Sequence, residues 1–338
     1  MSPVVWAMAV GLPLISVLMG AGAFATWWER RFAAKMQTRY GPNRVGPAGL
    51  LQPVADAFKM MQKEDIVPRA ADRALFNLAP VFPPFLVIAS AAVIPFAATV
   101  DSSGAYDPTL AVAELDIGIL WVLSLAGLMV FPVWVAGWAA NNKYTLLSGM
   151  RMVAQGVSYE IPMVLCALVP VIYAGSLSLS DIVAYQHANG WVALSLSPSA
   201  IVGFLAMILF FLTSLAEANR IPFDIPEAES ELIAGVMVEY TGIKFGIFML
   251  AEYLHTIVAS ALTAALFLGG PSGPGPESLG ILWMAGKTVA LFVLIYWIRW
   301  SLYRFRSDQL MDLCWKVLVP LSLLLVMAAA LVVAGGYA

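Results

Sequence analysis

The sequence predicts an all-α, polytopic membrane protein: eight transmembrane helices, with an interfacial amphipathic helix in the first cytoplasmic loop. Three observations carry that prediction. Hydrophobic residues make up 61% of the 338-residue chain and charged residues only 12%, half the share of a typical soluble domain. Apolar stretches of about 20 residues, the length that crosses a hydrocarbon core, recur along the whole chain. Basic residues gather almost entirely on one side of those stretches. Too little polar surface remains for a water-soluble enzyme. A net charge of −3 without a dense basic run excludes disorder and nucleic-acid binding.

The expected spans are 4–27, 78–98, 117–139, 153–174, 199–216, 243–267, 281–299 and 317–335. The first is read as a retained helix. It is long for a signal peptide, lacks a basic start, and is followed by Glu29, Arg30 and Arg31 instead of small residues. Segments after the first, third, fifth and seventh spans hold nine, two, two and four basic residues, 17 of the 18. Lys287 is the exception. The opposite side holds Asp101, Asp107, Glu114, Asp116, Asp181 and Glu277. The positive-inside rule puts the basic side in the cytoplasm and both termini in the periplasm. Few residues remain outside the bilayer, so residues 1–338 read as a single membrane domain.

In the first loop, Leu50–Lys63 has helical periodicity. Leu51, Val54, Phe58 and Met61 share one side, and Gln52, Asp56, Lys59 and Lys63 the other. Such a helix lies in the membrane interface, either as a plain anchor or as part of a site. Within the fourth and sixth spans, Glu160 and Glu252 interrupt apolar runs. A charge at that depth costs about 2.5–3.5 kcal/mol on insertion scales, which marks each as a functional candidate against a structural hydrogen bond.

Leu215–Gly242 is the second unusual segment. Glu217, Asp224, Glu227, Glu229, Glu231 and Glu239 face Arg220 alone. Pro222 and Pro226 break any continuous helix. Asp224 is placed to cap a helix whose first residue is Pro226, with Glu227 and Glu231 on one face. A solvated acidic loop is one reading. The interleaved Ile221, Phe223, Ile225, Leu232 and Val236 favour burial instead, which would bring carboxylates into low dielectric, where they share protons. Trp27, Trp28, Trp134, Trp138, Trp297 and Trp300 flank span ends and fit aromatic belts. Two cysteines, Cys166 and Cys314, and two histidines, His187 in a polar loop and His255 alone in a span, leave no ligand set for an Fe–S cluster or a bis-His haem. No redox centre is expected in this chain, and electrons would have to come from another subunit.

The motifs in order are Trp28-Glu29-Arg30-Arg31, Arg39-Tyr40-Gly41-Pro42-Asn43-Arg44-Val45-Gly46, Gly49-Leu50-Leu51-Gln52-Pro53 with Ala55-Asp56-Ala57-Phe58-Lys59, Gly137-Trp138 with Asn141-Asn142-Lys143-Tyr144, Ser158-Tyr159-Glu160, and Glu217-Ala218-Asn219-Arg220 with Pro222-Phe223-Asp224 and Pro226-Glu227-Ala228-Glu229. Together they closely resemble the H-subunit family of bacterial NADH:quinone oxidoreductase (respiratory complex I), the counterpart of the mitochondrial ND-one subunit. The resemblance runs from the first span to the last.

The resemblance implies a membrane-arm subunit under the peripheral arm of a proton-pumping translocase in the bacterial inner membrane. Its quinone chamber would be walled by Glu29, Arg30, Arg39, Asp56, Phe58, Phe223 and Arg299. Its proton-coupling chain would comprise Glu160, Glu217, Glu227, Glu229, Glu231 and Glu252, with Arg151, Tyr159 and Arg220 as polar neighbours. The substrate would be a quinone such as ubiquinone. NADH, FMN and Fe–S clusters would reside in partner subunits. The expected contacts are the peripheral-arm quinone-site and terminal Fe–S subunits, adjacent small membrane subunits, and lipid. Two other classes remain on sequence grounds. A secondary cation or proton transporter predicts inverted repeats, and no internal repeat is found. A purely structural anchor leaves Glu160 and Glu252 unexplained.

Overall fold

A computed structural model describes residues 3–100, 106–109, 111–195, 199–226, 229–274, 276 and 279–336. Among them are eight helices long and apolar enough to cross a membrane. In chain order the elements are α1 (Pro3–Met36), α2 (Gln52–Gln62), α3 (Arg73–Ala91), β1 (Ala97–Val100), β2 (Tyr106–Thr109), α4 (Gly118–Ala139), α5 (Lys143–Ala174), α6 (Leu179–Asn189), α7 (Ser199–Glu217), α8 (Glu229–Leu232), α9 (Gly242–Phe267), α10 (Gly280–Ser301) and α11 (Ser307–Ala334). The short hairpin pairs β1 and β2 antiparallel, Ala97 opposite Thr109. Asp101 and Glu277 lie outside the described residues.

Several helices outrun the apolar stretches that announce them. Hydropathy marks where the bilayer ends, not where the helix does. α1 has 34 residues, about 51 Å at 1.5 Å per residue, against a core of roughly 30 Å. The helix is therefore longer than the core it crosses, and its last turns carry Glu29, Arg30, Arg31 and Lys35. α5 starts ten residues before its apolar run, where the Asn142 side chain accepts from the Tyr144 amide at 3.0 Å; Arg151 is thus a helical residue. It ends at Gly175, whose φ of 67° suits glycine. At the start of α3, Asp72 accepts from the amides of Ala74 and Leu75.

Two expectations change. His187 is not in a loop: it sits in the last turn of α6, which Ser178 caps and whose Leu179, Ile182 and Val183 are buried. The cap and the buried face outweigh the local polarity. Lys287, the one basic residue on the wrong side, donates to the carbonyls of Leu268 at 2.5 Å, Gly270 at 2.9 Å and Ser272. It closes the C-terminus of α9, where unpaired carbonyls favour a cation.

α5 is central and packs against α4, α7 and α11, while α9 lies against α1, α3 and α10. Inside a membrane, close packing replaces the hydrophobic effect as the force between helices, and small residues permit it. A Cβ at Gly22 of α1 would lie 2.9 Å from Leu250 of α9. α2 turns the first half of its polar side inward: Gln52 and Asp56 face α1, while Lys59 and Lys63 are exposed. Val54, Phe58 and Met61 point away from the bundle, 51%, 62% and 66% exposed.

Candidate functional site

The site begins where α7 stops. After Glu217 the chain runs irregularly to Pro226, yet Arg220, Phe223, Asp224 and Ile225 are buried. Non-helical backbone at this depth persists only if other groups satisfy it. Gln155 of α5 does so. Its Nε2 donates to the Ala216 carbonyl at 2.7 Å, the Phe223 carbonyl at 2.8 Å and Asn219 Oδ1 at 3.3 Å. The Ser148 hydroxyl donates to Pro226 O, and the Phe305 amide to Pro222 O at 3.0 Å. The expected helix beginning at Pro226 falls in part on residues 227 and 228, which lie outside the described residues; Pro226 is in a turn, and the next described residue, Glu229, is helical. The Asp224 carboxylate stands 3.3 Å from the Arg304 guanidinium, a charge-assisted contact that suits a buried carboxylate.

This loop aims Arg220 at α9. Its guanidinium lies 4.7 Å from the Tyr253 ring centre and 5.9 Å from that of Tyr296, and 3.8 Å from Glu252 Oε2. Burial disfavours its charge. The surrounding Tyr296, Glu252, Glu29 and Tyr253 outweigh that, so its pKa lies above the ordinary arginine value. The Tyr253 hydroxyl donates to Glu29 Oε2. Glu29 is 5% exposed, and its other oxygen stands 2.6 Å from Arg299. One polar run therefore crosses three helices and the loop: Arg299, Glu29, Tyr253, Arg220, Glu252. Glu217 continues it, 3.9 Å from His255 Nε2 and within electrostatic reach of Glu160. The Glu160 carboxylate rests against the Gly127 backbone of α4.

The other expected residues are dispersed. Arg30 pairs with Asp56 at 2.5 Å at the exposed end of α1, and Gln52 also donates to Asp56. Arg39 is exposed and donates to Gln37 at 2.7 Å. Phe58 stands outward on α2, whereas Phe223 is in the core between Tyr159 and Phe305. Arg151 pairs with Glu231 of α8. Tyr159 is fully buried, and its hydroxyl donates to the Leu310 carbonyl at 2.9 Å, away from the acids. Glu227 and the side chain of Glu229 lie outside the described residues.

Sequence reasoning missed Gln155, Tyr253, Tyr296, His255 as a site residue, and Arg304. Gln155, a lone amide in an apolar run, carried a usable signal; the tyrosines look like ordinary core aromatics.

Two small cavities meet at the network. One of about 50 Å³ is lined by Glu217, Asn219, Glu252 and His255 among apolar side chains. One of about 30 Å³ is also lined by Glu217 and His255. A groove of about 160 Å³ opens along α1 and α10, walled by Phe24, Trp28, Val289 and Phe292.

A family described as NADH dehydrogenase matches residues 9–330. The chain is 46% identical over 321 residues to the H subunit of the NADH-quinone oxidoreductase of Thermomicrobium roseum, covering 93% of this chain and 92% of that protein. It is 44% identical over 327 residues to an H subunit of the NADH-quinone oxidoreductase of Geobacter metallireducens, covering 96% of each. It is 44% identical over 330 residues to NADH-quinone oxidoreductase subunit 8 of Thermus thermophilus, covering 97% and 87%.

Proposed function

The chain belongs to the NADH dehydrogenase family, and on that premise we propose that it serves as a membrane-arm subunit of an NADH:quinone oxidoreductase, walls the quinone chamber, and passes the effect of quinone reduction to proton translocation. The single observation that carries the coupling role is the polar run from Arg299 and Glu29 through Tyr253 and Arg220 to Glu252. It joins the expected chamber residues to the expected coupling residues inside an apolar bundle.

Quinone reduction supplies a change of charge, then a demand for protons, beside this run. A unit charge 4 Å away is worth about 4 kcal/mol at an effective dielectric constant near 20. That exceeds what is needed to redistribute protons among carboxylates or to bias two arrangements of a loop. Glu29 and Arg299 would sense the charge; Arg220, mounted on the irregular loop, would relay it; Glu252 and Glu217 would exchange protons. The outward Val54, Phe58 and Met61 suit an apolar quinone tail arriving from the bilayer, next to the Arg30–Asp56 pair. Electrons would arrive from Fe–S subunits, with NADH and FMN bound farther off. The partners are the peripheral-arm quinone-site subunits and neighbouring small membrane subunits, and the setting is the bacterial inner membrane with both termini periplasmic.

The test uses the assembled enzyme in proteoliposomes. Glu217→Gln and Glu29→Gln should each depress quinone reduction and proton pumping while NADH oxidation by a hydrophilic acceptor continues. Full activity and full pumping in both variants would overturn the proposal.

A further inference from the structure

Sequence reasoning sets His255 aside as a solitary span residue, but the geometry around it is specific. His255 follows Glu252 by three residues on α9, so the two share a helix face. Its Nε2 is buried without a hydrogen-bond partner among the described residues, and so is Oε1 of Glu217 on the facing helix. Glu217 Oε2 is 3.9 Å from that nitrogen, too far for a direct hydrogen bond and close enough for one intervening molecule. Both residues line the cavity of about 50 Å³ and the one of about 30 Å³.

A buried unpaired polar atom costs about 1–3 kcal/mol. A cavity holds water when it offers roughly 10–15 Å³ and two or more polar partners. The larger cavity exceeds that volume, and Glu217, Asn219, Glu252 and His255 supply the polar partners. The rest of its wall is apolar, as in Pro83, Met129, Met152, Met237 and Phe248. No further ionisable side chain lines either cavity among the described residues. The charged groups facing the imidazole are therefore Glu217 from α7, Glu252 from its own helix and Arg220 from the loop, with Glu160 of α5 acting on Glu217.

We propose that His255 is a proton-carrying member of this network, joined to Glu217 through water held in the cavity they share. The inference rests on the coupling role above. The imidazole takes a proton at Nε2 from water hydrogen-bonded to one carboxylic acid and returns it through water to the other carboxylate. The acid that gives up the proton becomes the carboxylate and the carboxylate that receives it becomes the acid, with no oxidant or reductant involved. Glu217 and Glu252 sit on different helices, and His255 is the ionisable group placed to serve both.

The experiment compares His255→Leu, His255→Gln and Glu217→Gln in the assembled complex in proteoliposomes. It measures quinone reduction, proton pumping, the pH profile and the solvent deuterium effect. In His255→Leu, coupled turnover should fall by about tenfold or more, less than the roughly hundredfold a positioned proton donor can supply because water still carries some flow. His255→Gln keeps a hydrogen-bonding side chain but cannot carry a proton. It should also lose turnover, with an altered pH profile and a larger deuterium effect. Wild-type turnover, pH profile and deuterium effect in His255→Gln would overturn the proposal and leave the histidine a hydrogen-bonding role only. Loss in Glu217→Gln with both His255 variants unaffected would overturn this inference alone. Full activity in Glu217→Gln would instead remove the coupling role on which it rests.

Discussion

Gln155→Leu isolates the device that holds the loop after α7. Gln155 is 2% exposed, and its Nε2 serves the carbonyls of Ala216 and Phe223 at 2.7 and 2.8 Å. Leucine has similar bulk but no donor. Each carbonyl keeps a backbone donor, the Asn219 amide at 3.2 Å and the Ile225 amide at 3.0 Å, so each loses one hydrogen bond, about 1 kcal/mol. Gln155 Oε1 is itself buried without a partner among the described residues, and its removal recovers about 1 kcal/mol. A net destabilisation of about 1 kcal/mol falls on the loop. At 1.4 kcal/mol per factor of ten, opening of the loop should rise about fivefold. Hydrogen exchange followed by mass spectrometry on the assembled complex reads this in peptides covering residues 216–226. Peptides from α10 serve as the internal reference. Exchange indistinguishable from wild type would refute the claim that Gln155 helps to satisfy this backbone. Because the loop carries Arg220, quinone reduction should fall in parallel.

Two further outcomes follow from local geometry. In Gly127→Ala the new Cβ would lie 2.8 Å from Cδ of Glu160 and closer still to Oε1, so the carboxylate must swing away. Alanine favours the helix by about 1 kcal/mol and the displaced rotamer costs a similar amount, so thermal stability should stay nearly constant while proton pumping drops; unchanged pumping would count against a role for Glu160. Lys287→Met keeps the apolar stem but removes the cation from the carbonyls ending α9. The loss of about 2 kcal/mol should lower the melting temperature of the complex without altering quinone reduction, measured by thermal denaturation and steady-state turnover.

The sequence alone determined the membrane class, the eight crossings, the interfacial helix, and the family, through motifs such as Trp28-Glu29-Arg30-Arg31 and Glu217-Ala218-Asn219-Arg220. These are local quantities: the cost of placing a residue in lipid accrues residue by residue, so a window along the chain can read it. The same locality misjudged helix ends, since nothing in hydropathy stops α1 at the membrane surface, and overlooked α6, whose Ser178 cap lies in a polar stretch. Only the tertiary structure decided which candidates meet. Tyr253 and Glu29 are 224 positions apart, and Gln155 reaches a loop more than 60 residues away. Helix packing, which depends on every facing side chain at once, brought Glu29, Arg220 and Glu252 into one run. It left Tyr159 bonded to a backbone carbonyl and Arg39 at the surface, although all five are ionisable residues within the same recognisable motifs or spans.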